Sequence, residues 1–288
     1  MSELNVGKHT RLRTDIIKKA AAHHILLALG AAVMALPFVW MVLTSFKTFG
    51  ETVKVPITWL PETFQFQNYT DVIRRFNFGL YYANTLLVTV SLVAGQIMIC
   101  ALAAYAFTRL HFPGRKFLFF MVLSIMMVPA QMMLIPRFLI ANALGWVNSY
   151  WGLIVPQLPS AYGVFFLGQF LKTLPTEMED AGRIDGCSIW RLFLNIALPM
   201  SVNGLIAFGI VVTLWSWNEL LWPLTVTSSD KMSVLSIGLA TLNAMPGYAS
   251  KYNVLLAASV LITLPMLAVF IAGHKKFVSG IVIGGIKA

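Results

Sequence analysis

Stretches free of Asp, Glu, Lys and Arg recur along the chain, one inside Ala20–Lys47 and others at Phe76–Thr108, Phe117–Pro136, Phe138–Leu171, Leu192–Asn218 and Tyr252–His274. Each is long enough to matter, because about 20 apolar residues rising about 1.5 Å apiece cross a hydrocarbon core of about 30 Å. The pattern predicts an all-α membrane protein. Its six transmembrane helices are expected at about 24–46, 82–108, 117–140, 151–171, 199–223 and 253–274, within one membrane domain covering 1–288. An even number of crossings puts both termini on the same side.

Basic residues decide which side that is, since Lys and Arg are enriched in cytoplasmic loops. Fourteen of the 21 Lys and Arg fall in the N-terminal tail, the second and fourth loops and the C-terminal tail, against seven on the opposite side. Both termini are therefore expected in the cytoplasm. The first apolar run, Ile25–Phe46, exceeds the roughly 7–15 residues of a signal-peptide core and is read as a retained span. The loop between the first two spans, with Pro56, Trp59, Pro61 and the aromatic stretch Phe64–Tyr69, is too long for a simple connector and is expected to pack on the outer face.

Composition agrees with the pattern: hydrophobic residues make up 58% and charged residues 11% of the 288 positions, with mean hydropathy +0.77. A soluble domain carries about 25% charge, so an ordinary soluble enzyme is excluded, and so is a disordered chain. The net charge of +10 is scattered through short loops and makes no nucleic-acid stripe. Cys100 and Cys187 lack the spacing of a zinc site, and the five histidines lie near predicted helix ends, so no metal site and no catalytic constellation is expected.

The fourth loop, 172–191, departs from this economy of charge. Lys172, Glu177, Glu179, Asp180, Arg183, Asp185 and Arg191 crowd into it. Thr176 followed three residues later by Glu179 is the pattern of a capping box, and acids in a first turn favour the helix dipole. Gly186 is placed to stop that helix and Ser188 to cap the next. Two short helices joined by a glycine make a rigid knob.

Asp180-Ala181-Gly182, then three residues to Gly186, nine more to Ile196, and Ala197-Leu198-Pro199 resemble the cytoplasmic motif of permease subunits of ATP-binding-cassette importers. There the sequence is Glu-Ala-Ala, three residues, Gly, nine residues, Ile, one residue, Leu-Pro. Asp180 and Gly182 are substitutions within it, and Gly182 costs the helix about 1 kcal/mol relative to Ala. Asn68-Tyr69, Asn84-Thr85, Tyr105-Ala106-Phe107 with Arg109, Phe112-Pro113-Gly114-Arg115, Ile135-Pro136 and the tail Gly280 to Lys287 extend the likeness over roughly 56–288. Together they resemble the carbohydrate-uptake class, in particular the shorter six-span permease of maltose-type systems.

That resemblance implies a type I importer permease fold in the bacterial cytoplasmic (inner) membrane, and alternating access driven from outside the chain. A second permease subunit would complete a heterodimer, two copies of an ATPase subunit would bind beneath it, and an extracytoplasmic solute-binding protein would deliver the solute. ATP and Mg would sit on the ATPase subunits. This chain would be no enzyme and bind no cofactor: the G-x-x-x-x-G-K-[ST] loop is absent, Ile286 standing where Gly280–Gly285 would require the lysine. The coupling residues implied are Glu179, Asp180, Ala181, Gly182, Asp185, Gly186, Ile196 and Pro199, with Gly280, Gly284 and Gly285 of the tail as further contacts. Ala181 and Gly182 would admit the ATPase closely while Glu179, Asp180 and Asp185 meet its basic groups.

The solute would be a sugar, oligosaccharide or related polyol derivative. Trp215, Trp217, Asn218 and Glu219, with Asn84, supply stacking rings and hydrogen-bonding groups for it; an interfacial aromatic belt would account for the same tryptophans. An ion-coupled secondary transporter is the competing class, but it would carry ionisable residues within the spans. A permease for a non-carbohydrate solute stays open.

Overall fold

A computed structural model describes residues 3–75, 77–245, 247 and 251–285, with side chains for 23–74, 77–245, 247 and 251–273. All regular elements among the described residues are helical. They are α1 (Glu3–Ser45), α2 (Phe49–Thr52), α3 (Gln67–Arg75), α4 (Phe78–Arg109), α5 (Arg115–Met127), α6 (Ala130–Ala143), α7 (Tyr150–Ile154), α8 (Ala161–Thr173), α9 (Glu177–Ile184), α10 (Ile189–Met200), α11 (Val202–Asn218), α12 (Leu221–Val226), α13 (Leu235–Ala244) and α14 (Tyr252–Gly285). Three of them, α1, α4 and α14, contain apolar stretches long enough to cross a membrane, or up to five crossings if the bent pairs α5–α6 and α10–α11 each count as one.

The expected rods at 117–140, 151–171 and 199–223 are therefore interrupted, and the sequence explains where. Helices α5 and α6 meet at 98°, because Pro129 forces Val128 into extended backbone. Pro159 and the extended Ser160 separate α7 from α8. Helices α10 and α11 meet at 74°; Pro199 lacks an N–H and would clash with the carbonyl four residues back, and the turn ahead of it, Phe193–Ala197, widens to an i→i+5 pattern. Glu219, in extended backbone, ends α11 before α12 begins.

The described residues fall into two compact units. The first draws on Met1–Thr70 and Gly247–Val260. Its apolar α1 side chains from Ile25 to Val42 are largely exposed, as lipid-facing groups must be. Beyond Ser45 the chain folds on a polar hub: Asn68 Nδ2 donates to the Ser45 and Lys47 carbonyls at 2.8 and 2.9 Å, and Asn253 donates to Asn68 Oδ1 at 2.9 Å. Lys47 is 1% exposed; its ammonium donates to the Thr58 carbonyl and stands 4.1 Å over the Trp40 ring. Burial pushes its pKa down, and the charge of Glu51 works against that shift. Glu51 itself closes a capping box with Thr48 and accepts the Glu62 N–H at 2.6 Å.

The second unit draws on Asp71–Pro246 and Leu261–Ala288. Unbroken α4 is its spine, packed most extensively against α8 and α11. Small residues let the helices approach closely, the usual route to tight packing where lipid supplies no hydrophobic drive. A Cβ on Gly163 would lie 2.5 Å from Phe208 and 2.7 Å from the Cys100 sulfur, and one on Gly204 would meet the Phe170 ring at 2.6 Å. Gly163→Leu should accordingly lower the stability of the purified protein by about 1–3 kcal/mol through overpacking. Thermal denaturation in detergent checks this, and an unchanged midpoint would contradict the packing described.

Candidate functional site

Helix α9 begins after Pro175 and ends at Gly186, whose φ of +78° is the left-handed conformation that glycine adopts without a Cβ penalty. Cys187 N–H returns to the Gly182 carbonyl at 2.9 Å, which closes the turn. Ser188 then caps α10 by accepting from Arg191 N–H at 3.4 Å. The two helices thus form a knob, with α9 packed back on α10.

Gly182 makes that packing possible. A Cβ there would lie 2.7 Å from Leu192 and 3.0 Å from Ile196, so this glycine faces α10 and cannot receive a partner. Ala181 on the next face is exposed, as are Asp180, Asp185 and Pro199, and Ile196 is half-buried in the seam. Arg183 pairs with Asp180 at 2.7 Å on the surface.

Glu179 breaks with expectation most clearly. Thr176 forms no capping box with it; the carboxylate is 2% exposed and turned toward α4. One oxygen stands 2.9 Å from Arg109 Nε, a charge contact by distance whose N–H is not aligned as a hydrogen bond. The other accepts from the Tyr105 hydroxyl at 3.2 Å. Arg109 also donates to the Leu171 and Leu174 carbonyls at 2.9 and 3.0 Å, at the end of α8. Glu179 is therefore not available to an outside basic group, as the sequence reading had placed it. A buried carboxylate left unpaired would be costly, and Arg109 at the last turn of α4 is the group that compensates it.

Beside its exposed charges the knob presents large apolar side chains. Ile184 is 87% exposed and Trp190 64%, with Met178 and Ile189 also uncovered. Sequence reading missed these four because it followed charge. The signal was present: large apolar residues in the most polar loop have no lipid to face and need another surface.

The predicted pathway residues separate. Asn84 is buried, its amide donating to the Lys231 and Ser233 carbonyls and its oxygen accepting from Tyr150 at 2.6 Å. Trp217 is buried and donates to the Ile262 carbonyl at 3.0 Å. Glu219 caps α12 through Trp222 N–H at 3.1 Å. These three are committed to holding helices together. Trp215 and Asn218 are exposed; the Trp215 ring packs on Tyr162 with centroids 5.0 Å apart, and the Asn218 amide returns to Leu214. Gly280, Gly284 and Gly285 continue α14, where side-chain surroundings lie outside the described residues.

Comparison with known proteins gives one consistent direction. Residues 96–281 match the family described as binding-protein-dependent transport system inner membrane component. The arabinooligosaccharides transport system permease protein of Halalkalibacterium halodurans is 35% identical over 91% of this chain and 96% of its own length. The diacetylchitobiose uptake system permease protein of Streptomyces coelicolor is 31% identical over 91% and 87%. The sn-glycerol-3-phosphate transport system permease protein of Brucella suis is 29% identical over 90% and 94%. Among solved structures, a bacterial ABC transporter involved in alginate import superposes with a TM-score of 0.79 over 90% of this chain and 96% of that one, at 20% identity. At that identity the likeness is one of fold.

The two small residues of the motif should now respond differently to size. Gly182→Val is expected to lower the thermal midpoint by wedging α9 off α10, whereas Ala181→Val, on the exposed face, should leave it unchanged; equal effects would contradict the packing.

Proposed function

Because this chain belongs to the family of binding-protein-dependent transport system inner membrane components, we propose that it is the permease subunit of an ATP-driven importer for a sugar or oligosaccharide. The substrate class follows the relatives, whose names cite arabinooligosaccharides and diacetylchitobiose; the glycerol phosphate permease extends it to smaller polyhydroxylated solutes. In this reading the chain crosses the membrane six times with both termini in the cytoplasm. Helices α1, α4 and α14 give three crossings, the bent pair α5–α6 a fourth, α11 with the end of α10 a fifth, and the interrupted segment Tyr150–Thr173 the sixth.

The observation that carries the coupling role is the apolar tip of the knob, Met178, Ile184, Ile189 and Trp190, held on a rigid mount in the loop that bears the motif. Such a surface fits a hydrophobic groove on an ATPase subunit, the helix-in-groove mode of recognition. Asp180 and Asp185 stand at its rim, where charge steers docking and adds little affinity. Two ATPase subunits would hold ATP and Mg, a second permease chain would complete the pathway, and a binding protein would load the solute. Trp215, backed by Tyr162, and Asn218 are the pathway residues this reading keeps, since an exposed ring can stack on the apolar face of a sugar.

Removing apolar contact area from the tip should break the assembly without unfolding the chain. Ile184→Asp combined with Trp190→Ala should abolish co-purification of the ATPase subunit while the permease stays monodisperse with an unchanged thermal midpoint. A wild-type chain that brings no ATPase with it would refute the proposal. In proteoliposomes holding the full importer, Trp215→Ala should reduce ATP-driven uptake of oligosaccharide by about 5-fold or more, since even one methylene of apolar contact in a binding pocket is worth about 1–3 kcal/mol. ATPase activity of the complex should persist, and unaltered uptake would remove Trp215 from the pathway.

A further inference from the structure

Glu179 raises a question that docking does not answer. The acids around it, Glu177, Asp180 and Asp185, are exposed, yet Glu179 is 2% exposed and ringed by Arg109, Tyr105 and, 4.0 Å away on its own helix, Arg183. A buried ion pair gains little stability over well-packed apolar groups of the same volume, because both charges must be stripped of water. What it supplies is direction. One guanidinium here contacts three elements: it belongs to α4, donates to the two carbonyls ending α8, and holds the carboxylate of α9. The Tyr105 ring, one turn back on α4, packs on Phe193 of α10 at 5.2 Å while its hydroxyl meets the same carboxylate.

We infer that Arg109, Tyr105 and Glu179 are positioning residues that clamp the coupling knob to α4, so that a push on α9 is delivered to α4 directly and not through the Leu174–Thr176 connector. Without the clamp, an eight-residue helix bounded by Pro175 and Gly186 has only the Gly182 seam to fix its angle. With it, the knob becomes the foot of a 32-residue rod, about 48 Å long. The far end of that rod is also fixed: Asn84 to the Lys231 and Ser233 carbonyls, and Thr85 accepting Leu235 N–H at 2.9 Å. Displacement at one end therefore appears at the other.

The inference rests on the importer reading for its function but not for its geometry, and two experiments separate them. In the full-length chain in nanodiscs, lacking Cys187 and carrying spin labels at Glu177→Cys and His111→Cys, the distance between labels should be narrowly distributed. Glu179→Gln should broaden it, with Tyr105→Phe intermediate. This measurement uses no ATPase and no solute. In the assembled importer, Glu179→Gln should lower solute moved per ATP hydrolysed by about 5-fold or more, within the usual range of coupling strengths, while hydrolysis itself changes less than about 2-fold. Should Glu179→Gln fail to assemble, Tyr105→Phe, which keeps the ring packing and the ion pair, carries the same test with a smaller loss. An unbroadened distance overturns the clamp, and so does a loss of transport matched by an equal loss of hydrolysis. Failure of the wild-type importer to move solute would instead count against the function proposed above.

Discussion

In hydrocarbon, a backbone N–H or C=O without a partner costs several kcal/mol, which is why membrane segments are ordinarily continuous helices. This chain interrupts its helices at Val128–Pro129, Pro159–Ser160, Ser201 and Glu219, and side chains repair much of the damage. Much of the repair comes from α4. Gln96 donates to the Gln157 carbonyl at 2.8 Å and Cys100 to Ser160 at 3.5 Å, both beside the α7–α8 break. Arg109 takes the Leu171 and Leu174 carbonyls, Asn84 those of Lys231 and Ser233, and Thr85 the N–H of Leu235. Elsewhere Trp217 serves the Ile262 carbonyl, three residues ahead of Pro265 in α14, and Trp222 that of Gly152. Several polar residues within the apolar runs are thus structural, tied to backbone groups of other elements at or near helix ends.

That economy explains the division between positions that hold and positions that act. A buried polar group whose donors and acceptor already have partners is held away from a passing solute, which is the case for Asn84 with its three bonds. Trp215, although packed on Tyr162, stays exposed and free to meet a solute. The same logic governs the knob, where the buried charge, Glu179, is the compensated one, and Ile184, Trp190, Met178 and Ile189 stand exposed beside the surface acids.

Much of this was legible in the residues alone. Charge-free runs locate the apolar segments, Gly186 and Ser188 mark the turn between α9 and α10, and the spacing from Asp180 to Pro199 identifies the family motif. Hydropathy could not show that 117–140, 151–171 and 199–223 are bent, since an average over a window carries no direction; Pro129, Pro159 and Pro199 were the local signals. Nor could spacing tell which face of α9 looks inward. Glu179 and Gly182 are one turn apart and both buried, but the acidic neighbours on either side masked that stripe. Arg109, a cation at the end of an apolar helix with no acid near it in sequence, was the one hint that a carboxylate must arrive from elsewhere.

The order of these elements along the polypeptide has a bearing on biogenesis. Residues 78–109 are synthesised before Gln157, Ser160, Leu171, Leu174, Lys231, Ser233 and Leu235, the later backbone groups that α4 side chains reach among the described residues. When the segments around Gln157–Leu174 and Lys231–Leu235 leave the ribosome and enter the bilayer, the α4 side chains that meet them are already there. Vectorial translation and the bonding pattern run in the same direction, and a scaffold laid down early receives the fragile pieces in turn.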